Sequence, residues 1–155
     1  MHFSKHVDFN VYLSRVKSNS MKSLFQSLAD EISAFNKQEP QELLAIFKNR
    51  LDEYGCCCED GVALFDVQSD VVESPILFLA TLENGINCDA PDGQDIDIVS
   101  GLISPQSAGS IHLQKLSNLA RLLRSDELCS ALRDVHTVDE MKVLFMPMQD
   151  WTMAA

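Results

Sequence analysis

From Ser20 onward apolar side chains recur at Leu24, Leu28 and Ile32, the spacing that lines one face of an α-helix, with Phe25 and Phe35 widening the stripe. Ser20 is a ready N-cap, and the polar run from Asn36 to Glu39 closes the helix before Pro40. Pro40 suits the first turn of a second helix, in which Leu43, Leu44, Phe47 and Leu51 keep the period until Gly55. The period then changes. Val62 to Asp66, Ile76 to Leu82 and Ile96 to Ile103 are short apolar or alternating runs between Gly, Pro, Asp and Asn, and they predict strands. The last two are continuous enough to be buried on both faces. Glu83-Asn84-Gly85 predicts a tight hairpin into a short edge piece around Ile86 to Cys88, because Asn-Gly accepts the positive φ such a turn needs.

After Ser104-Pro105 the helical period returns with Ile111, Leu116, Leu119, Ala120 and Leu123, for which Ser107 or Ser110 is the expected cap. Ser125 caps a further helix through Leu128 and Leu132, and Thr137 with Glu140 forms a capping box for a last one, Val138 to about Phe145. Two helices, several strands and three more helices predict an α/β fold, a sheet covered by helices on both faces in three layers. There is no internal repeat and no linker-like run, so residues 1–155 read as one domain, with a core over 10–146 and a tail, 147–155, carrying Trp151. That length is enough to bury a single core.

Charge narrows the partners. Twelve Lys and Arg stand against 23 Asp and Glu, a formal net charge of −11. No basic residue lies between Arg50 and Lys115, while Asp52, Glu53, Glu59, Asp60, Asp66, Asp70, Glu73, Glu83, Asp89, Asp92, Asp95 and Asp97 all fall there. Nucleic acid and anionic membranes would meet an opposing field, so the partner expected is a basic protein surface. The longest apolar stretch, Pro75 to Leu82, is far short of the about 20 residues of a membrane span, and the first residues hold no signal-peptide core. A cytoplasmic location is expected. The odd count of five Cys, three of them adjacent at Cys56, Cys57 and Cys58, argues for free thiols.

Two places combine reactive groups with a favourable position: the turn from Gly55 into the strand ending at Asp66, and His112 in the first turn of the third helix. Unpaired helix N–H groups and the dipole's positive end make an anion a natural neighbour of His112. The Cys triplet also admits a metal or thiol sensor, but zinc ligands are normally two to four residues apart, and small buried fillers are the simpler reading. Asp89, Asp92, Asp95 and Asp97 around Gly93 miss the alternation and the final Glu of a calcium loop and read as a polar turn. No metal and no cofactor is expected.

The run Asp60-Gly61-Val62-Ala63-Leu64-Phe65-Asp66, then Ile86-Asn87-Cys88-Asp89-Ala90, Asp97-Ile98-Val99, Ile103-Ser104-Pro105, and His112-Leu113 leading into Leu119-Ala120-Arg121-Leu122-Leu123, resembles the fructose/mannitol-type enzyme IIA domain of the bacterial phosphotransferase system. Its nitrogen-regulatory branch is nearest in length, and the resemblance covers about residues 10 to 146. It implies a mixed sheet between helices and a histidine that takes a phosphoryl group from the small carrier HPr. In the family the first run ends Asn-Gly-(Ile/Val)-Ala-Ile-Pro-His, so the acceptor position here holds Asp66 and the preceding proline position Phe65. Arg50 matches the family's active-site arginine and His112 its second active-site histidine. The glycine-rich stretch of the family loop is here Cys56-Cys57-Cys58-Glu59.

Acceptance by a histidine needs a neutral ring nitrogen in line with the donor, and Asp66 offers a carboxylate instead. With Glu59 and Asp60 expected beside it, an incoming phosphoryl group is opposed by like charge. The leading expectation is a regulatory enzyme IIA-like protein that binds HPr or another basic partner and no longer relays phosphate. Asp66 would either stand where the phosphate would be, as a fixed charge that partners read, or mark a decayed site in a domain that survives as a binding surface; His112 would face it, and Arg50 would steady it. The rival is a competent phosphoryl-transfer protein using Asp66 or His112, and the third reading is the metal or thiol sensor at Cys56 to Cys58.

Overall fold

The computed structural model describes residues 7–55 and 57–146. The tail with Trp151, the first six residues and Cys56 lie outside the described residues. In chain order the elements are β1 (Val11–Val16), α1 (Met21–Asn36), α2 (Pro40–Tyr54), β2 (Cys57–Glu59), β3 (Val62–Gln68), β4 (Ile76–Ile86), β5 (Ile96–Ser104), a 3-10 turn (Gln106–Ala108), α3 (Ser110–Leu123), α4 (Asp126–Asp134) and α5 (Val138–Val143).

The five strands form one mixed sheet in the order β1-β4-β5-β3-β2. β1 is parallel to β4 and β3 is parallel to β5, while β4 with β5 and β2 with β3 are antiparallel. Side chains alternate across a strand, so each central strand feeds two cores. On one face Phe65, Phe78, Ala80 and Val99 pack under Leu24, Phe25, Leu28 and Ile32 of α1 and Leu43 and Phe47 of α2. On the other, Leu77, Leu79, Ile98 and Leu102 meet Leu119, Leu128, Leu132 and Met141 of α3, α4 and α5. The three-layer arrangement expected from the sequence is therefore present, and β4 is buried on both faces from Ile76 to Leu82. No helix among the described residues is long and apolar enough to cross a membrane.

Caps behave as expected where the signal is local. Ser20 accepts from the Ser23 amide and Ser125 from the Leu128 amide, both at 3.1 Å. Thr137 accepts from the Glu140 amide, but the Glu140 carboxylate returns to the Thr137 hydroxyl rather than to its backbone, so the box is closed through side chains. The expected Ser cap of α3 is not made: Gly109, with φ +57°, precedes the helix and no side chain caps it. Phe35 and Ile111, counted into apolar stripes, are 53% and 51% exposed, since each turns off the face its helix buries.

Three further differences concern the strands. The sequence reading assigns no element to the segment before Ser20, where β1 forms the sheet edge. β2, at the Cys triplet, is a three-residue strand returned by the Asp60-Gly61 turn, whose φ values of +54° and +80° suit a two-residue hairpin. The predicted Asn84-Gly85 hairpin does not exist. β4 runs through to Ile86, bulging between the Thr81–Ile98 and Ile86–Ile96 pairs. Gly85 serves close approach instead, because a Cβ there would lie 2.8 Å from Asp95 Cβ.

Candidate functional site

β3 and β5 run side by side in the same direction, so their C-terminal ends open together at one edge of the sheet, the place where α/β folds gather sites. Asp66 sits there, paired in register with Leu102. β2 accompanies β3 only as far as Leu64, which leaves the backbone beyond it at an open edge. Arg50, from the last turns of α2, fills that gap. Its Nε donates to the Asp66 carbonyl at 2.8 Å and its Nη2 to the Asp66 Oδ1 at 2.9 Å, so one planar fork holds both backbone and carboxylate. The guanidinium also lies over the Tyr54 ring, 4.3 Å from its centroid, which fixes the arginine one helical turn earlier.

The other carboxylate oxygen faces the third helix. Oδ2 of Asp66 is 3.6 Å from Nε2 of His112, within ion-pair reach but longer than a hydrogen bond. His112 is only 3% exposed, at the third residue of α3, and its Nδ1 lies 2.8 Å from Oγ of Ser104, the last residue of β5. The path between them is fixed by Pro105, by the 3-10 turn and by Gln106, whose amide donates to Asp70. A cleft of about 620 Å³ opens over the Arg50 and Asp66 side and is lined also by Glu53, Tyr54, Ser69 and Gln106. Tyr54, Ile111 and Leu113 are exposed apolar side chains on α2 and α3, the helices that supply Arg50 and His112.

Arg50, Asp66 and His112, proposed from separate parts of the sequence, are thus brought together. Glu59 and Asp60 are not. They occupy the hairpin at the opposite end of β3, and at about 3.3 Å per residue the six steps from Asp60 to Asp66 carry the turn about 20 Å away. The carboxylate nearest in kind to the expected crowd is Glu53, in the cleft. Phe65 likewise does not shape a loop: it is 2% exposed and packs edge-on against Phe25, 5.4 Å between ring centroids.

The hairpin has its own clamp, which the sequence reading missed. Arg133 of α4 makes two bonds to the Asp97 carboxylate, at 2.8 and 2.9 Å, and a third to the Asp60 carbonyl. The Asp97 bond holds the Arg133 guanidinium above its ordinary value. Asp92, one of the Asp cluster, accepts from the amides of Asp60 and Gln94, and these bonds lower its carboxyl. The cluster acts as the polar turn expected. Among the described residues no group of three or more His, Cys, Asp or Glu is placed to hold a metal ion. Cys58 is half-buried in β2, and burial pushes up the thiol of Cys129 on the inner face of α4. In the sequence Ser104 figures only within the Ile103-Ser104-Pro105 run, and a serine closing an otherwise apolar strand is the signal that marks it.

The chain matches the family described as "Phosphoenolpyruvate-dependent sugar phosphotransferase system, EIIA 2" over residues 8–145. It is 30% identical to a nitrogen regulatory protein of Bradyrhizobium diazoefficiens over 121 residues, 78% of this chain and 79% of that one. In three dimensions it is similar to the nitrogen regulatory protein IIA-Ntr from Neisseria meningitidis, with a TM-score of 0.77 at 20% identity, covering 88% of this chain and 93% of that one. The Escherichia coli enzyme IIA for mannitol, solved in complex with phosphorylated enzyme IIB, shares the fold with a TM-score of 0.67 at 15% identity over 88% and 93% of the two chains.

Proposed function

The chain belongs to the EIIA type 2 family of the phosphoenolpyruvate-dependent sugar phosphotransferase system, and on that premise we propose that it acts as a regulatory member. It binds protein partners while Asp66 stands as a fixed anion where phosphate would otherwise be received. The observation that carries this reading is the seating of Asp66: its two carboxylate oxygens are directed at Arg50 and at His112, 2.9 and 3.6 Å away. The arginine and the imidazole a transferred phosphoryl group would need are already turned to the protein's own carboxylate.

Chemistry agrees with the geometry. A phosphoryl group brought to about 4 Å from the Asp66 carboxylate meets about 4 kcal/mol of repulsion per unit charge at an effective dielectric of about 20. Expelling the carboxylate would cost its bond to Arg50 Nη2. His112 is a poor substitute acceptor, because Nε2 lies behind Asp66 and Nδ1 is engaged by buried Ser104. In-line attack needs an exposed lone pair, and neither nitrogen offers one.

A single carboxylate carries about half the charge of a phosphohistidine, so the site presents a partial and permanent likeness of the phosphorylated form. Exposed Tyr54, Ile111 and Leu113, on the helices that supply Arg50 and His112, provide the apolar part of a docking face, and the basic-free stretch from 51 to 114 favours a partner with cationic groups such as the phosphocarrier HPr. The test is incubation of the purified chain with labelled phospho-HPr, followed by acid and base lability mapping. No label is expected on the chain, with binding of HPr detectable by titration. Stable transfer of label to Asp66 or His112 refutes the reading.

A further inference from the structure

We infer that Ser104 is a positioning residue that fixes the proton of His112, donating its hydroxyl hydrogen to Nδ1 so that the neutral ring keeps its own proton on Nε2, facing Asp66. A polar group buried away from water has to find its partner within the protein. Ser104 Oγ is 2.8 Å from Nδ1 at the end of β5, where the residue is fully buried. Among the described residues that hydroxyl has His112 as its only hydrogen-bond partner. A hydroxyl carries one proton and must place it.

Two arrangements are open to a neutral ring. If Nδ1 bore the proton, Ser104 would accept it and be left with a buried hydrogen aimed at no acceptor. The Nε2 lone pair would then face the Asp66 Oδ2, 3.6 Å away, with two electron-rich atoms opposed. If Nε2 bears the proton, Ser104 donates to Nδ1, so the buried hydroxyl is paired, and Nε2–H faces the carboxylate across 3.6 Å with opposite partial charges. The strand end and the helix start are joined through this bond, since Pro105 and the 3-10 turn bring His112 back over Ser104. The ring is therefore held in one orientation as well as in one tautomer.

This deepens the proposed function by saying what a partner meets beside the fixed anion, and it rests on that reading only for its meaning in binding. The experiment uses the full chain labelled with nitrogen-15 and long-range proton–nitrogen correlation of the His112 ring, identified by its loss in His112→Gln, at a pH where the ring is neutral. The wild type is expected to show the Nε2–H tautomer almost alone. In Ser104→Ala the ratio of the two tautomers should fall by about five- to tenfold, the worth of one buried hydrogen bond, with broadened ring signals. Ser104→Thr, which keeps the hydroxyl, should restore the single state. Asp66→Asn should leave the Nε2–H tautomer in place, because Ser104 still donates.

An Nδ1–H tautomer in the wild type overturns the inference, as does an unchanged ring in folded Ser104→Ala. Should Ser104→Ala fail to fold, Asp66→Asn decides alone: inversion of the tautomer there would mean that Asp66, and not Ser104, sets the proton. Transfer of label from phospho-HPr would defeat the proposed function while leaving these ring signals as they are, so the two failures are distinguishable.

Discussion

Removing the Arg50 side chain should cost stability out of proportion to its position at the surface. Two hydrogen bonds are lost in Arg50→Ala, one to the Asp66 carbonyl and one to its carboxylate. The side chains of Arg50 and Asp66 are 23% and 37% exposed, so solvent screens the charge term and the ion pair contributes only about 0.5–1 kcal/mol. The bond to the carbonyl is charge-assisted and satisfies a backbone group at an open strand edge, worth about 1–1.5 kcal/mol at the low end for such bonds. Together the loss is about 2 kcal/mol, a sizeable part of a typical total of about 5–15 kcal/mol. Thermal unfolding should move down by about 4–8 °C for a chain of this size. Urea denaturation of Arg50→Ala, Asp66→Ala and the double variant separates the two parts. Arg50→Ala should still cost about 1 kcal/mol in the Asp66→Ala background, because the carbonyl remains. The reasoning is refuted if Arg50→Ala costs less than about 0.5 kcal/mol, or if its whole effect vanishes once Asp66 is alanine.

Other outcomes follow from particular contacts. A Cβ on Gly101 would lie 2.5 Å from the Phe65 carbonyl oxygen and 2.6 Å from Phe78 Cζ, so Gly101→Ala should destabilise by about 3 kcal/mol or open β3 from β5, seen as a lower denaturation midpoint and lost amide protection in β3. Burial, with help from the Asp8 charge, pushes the Tyr12 hydroxyl up from 10.0 to about 12. Neutral Tyr12 is thus favoured in the folded chain, and its contribution is complete below pH 10 and lost as pH rises from 10 to 12. The ring is partly exposed, so the loss should be about 1 kcal/mol, and the difference in slope between wild type and Tyr12→Phe over that window measures it. Equal slopes would sink that assignment.

What could be read along the chain was whatever local chemistry decides. The stripe from Leu24 to Ile32, Pro40 at a helix start, and the caps at Ser20 and Ser125 each act within a few residues, so the helices stand where the pattern puts them. The apolar runs of β4 and β5 likewise announced strands buried on both faces. Arg50, Asp66 and His112 were legible as candidates through a family resemblance, by residue type and order, but their meeting was not.

Only the tertiary structure decided which residues share a place. Glu59 and Asp60 are neighbours of Asp66 in sequence, yet an extended strand carries them to the far end of the sheet, while Arg50 and His112, 16 residues before and 46 after, converge on it. Asn84-Gly85 has the local chemistry of a hairpin, but continued pairing with β5 outweighs it. β1 is a strand because β4 offers an edge to pair with, and Ser104 matters because His112 folds back over it. Period and caps are properties of adjacent residues. Strand pairing, burial and the distance between charges are properties of the packed whole, and the candidate site is made of the latter.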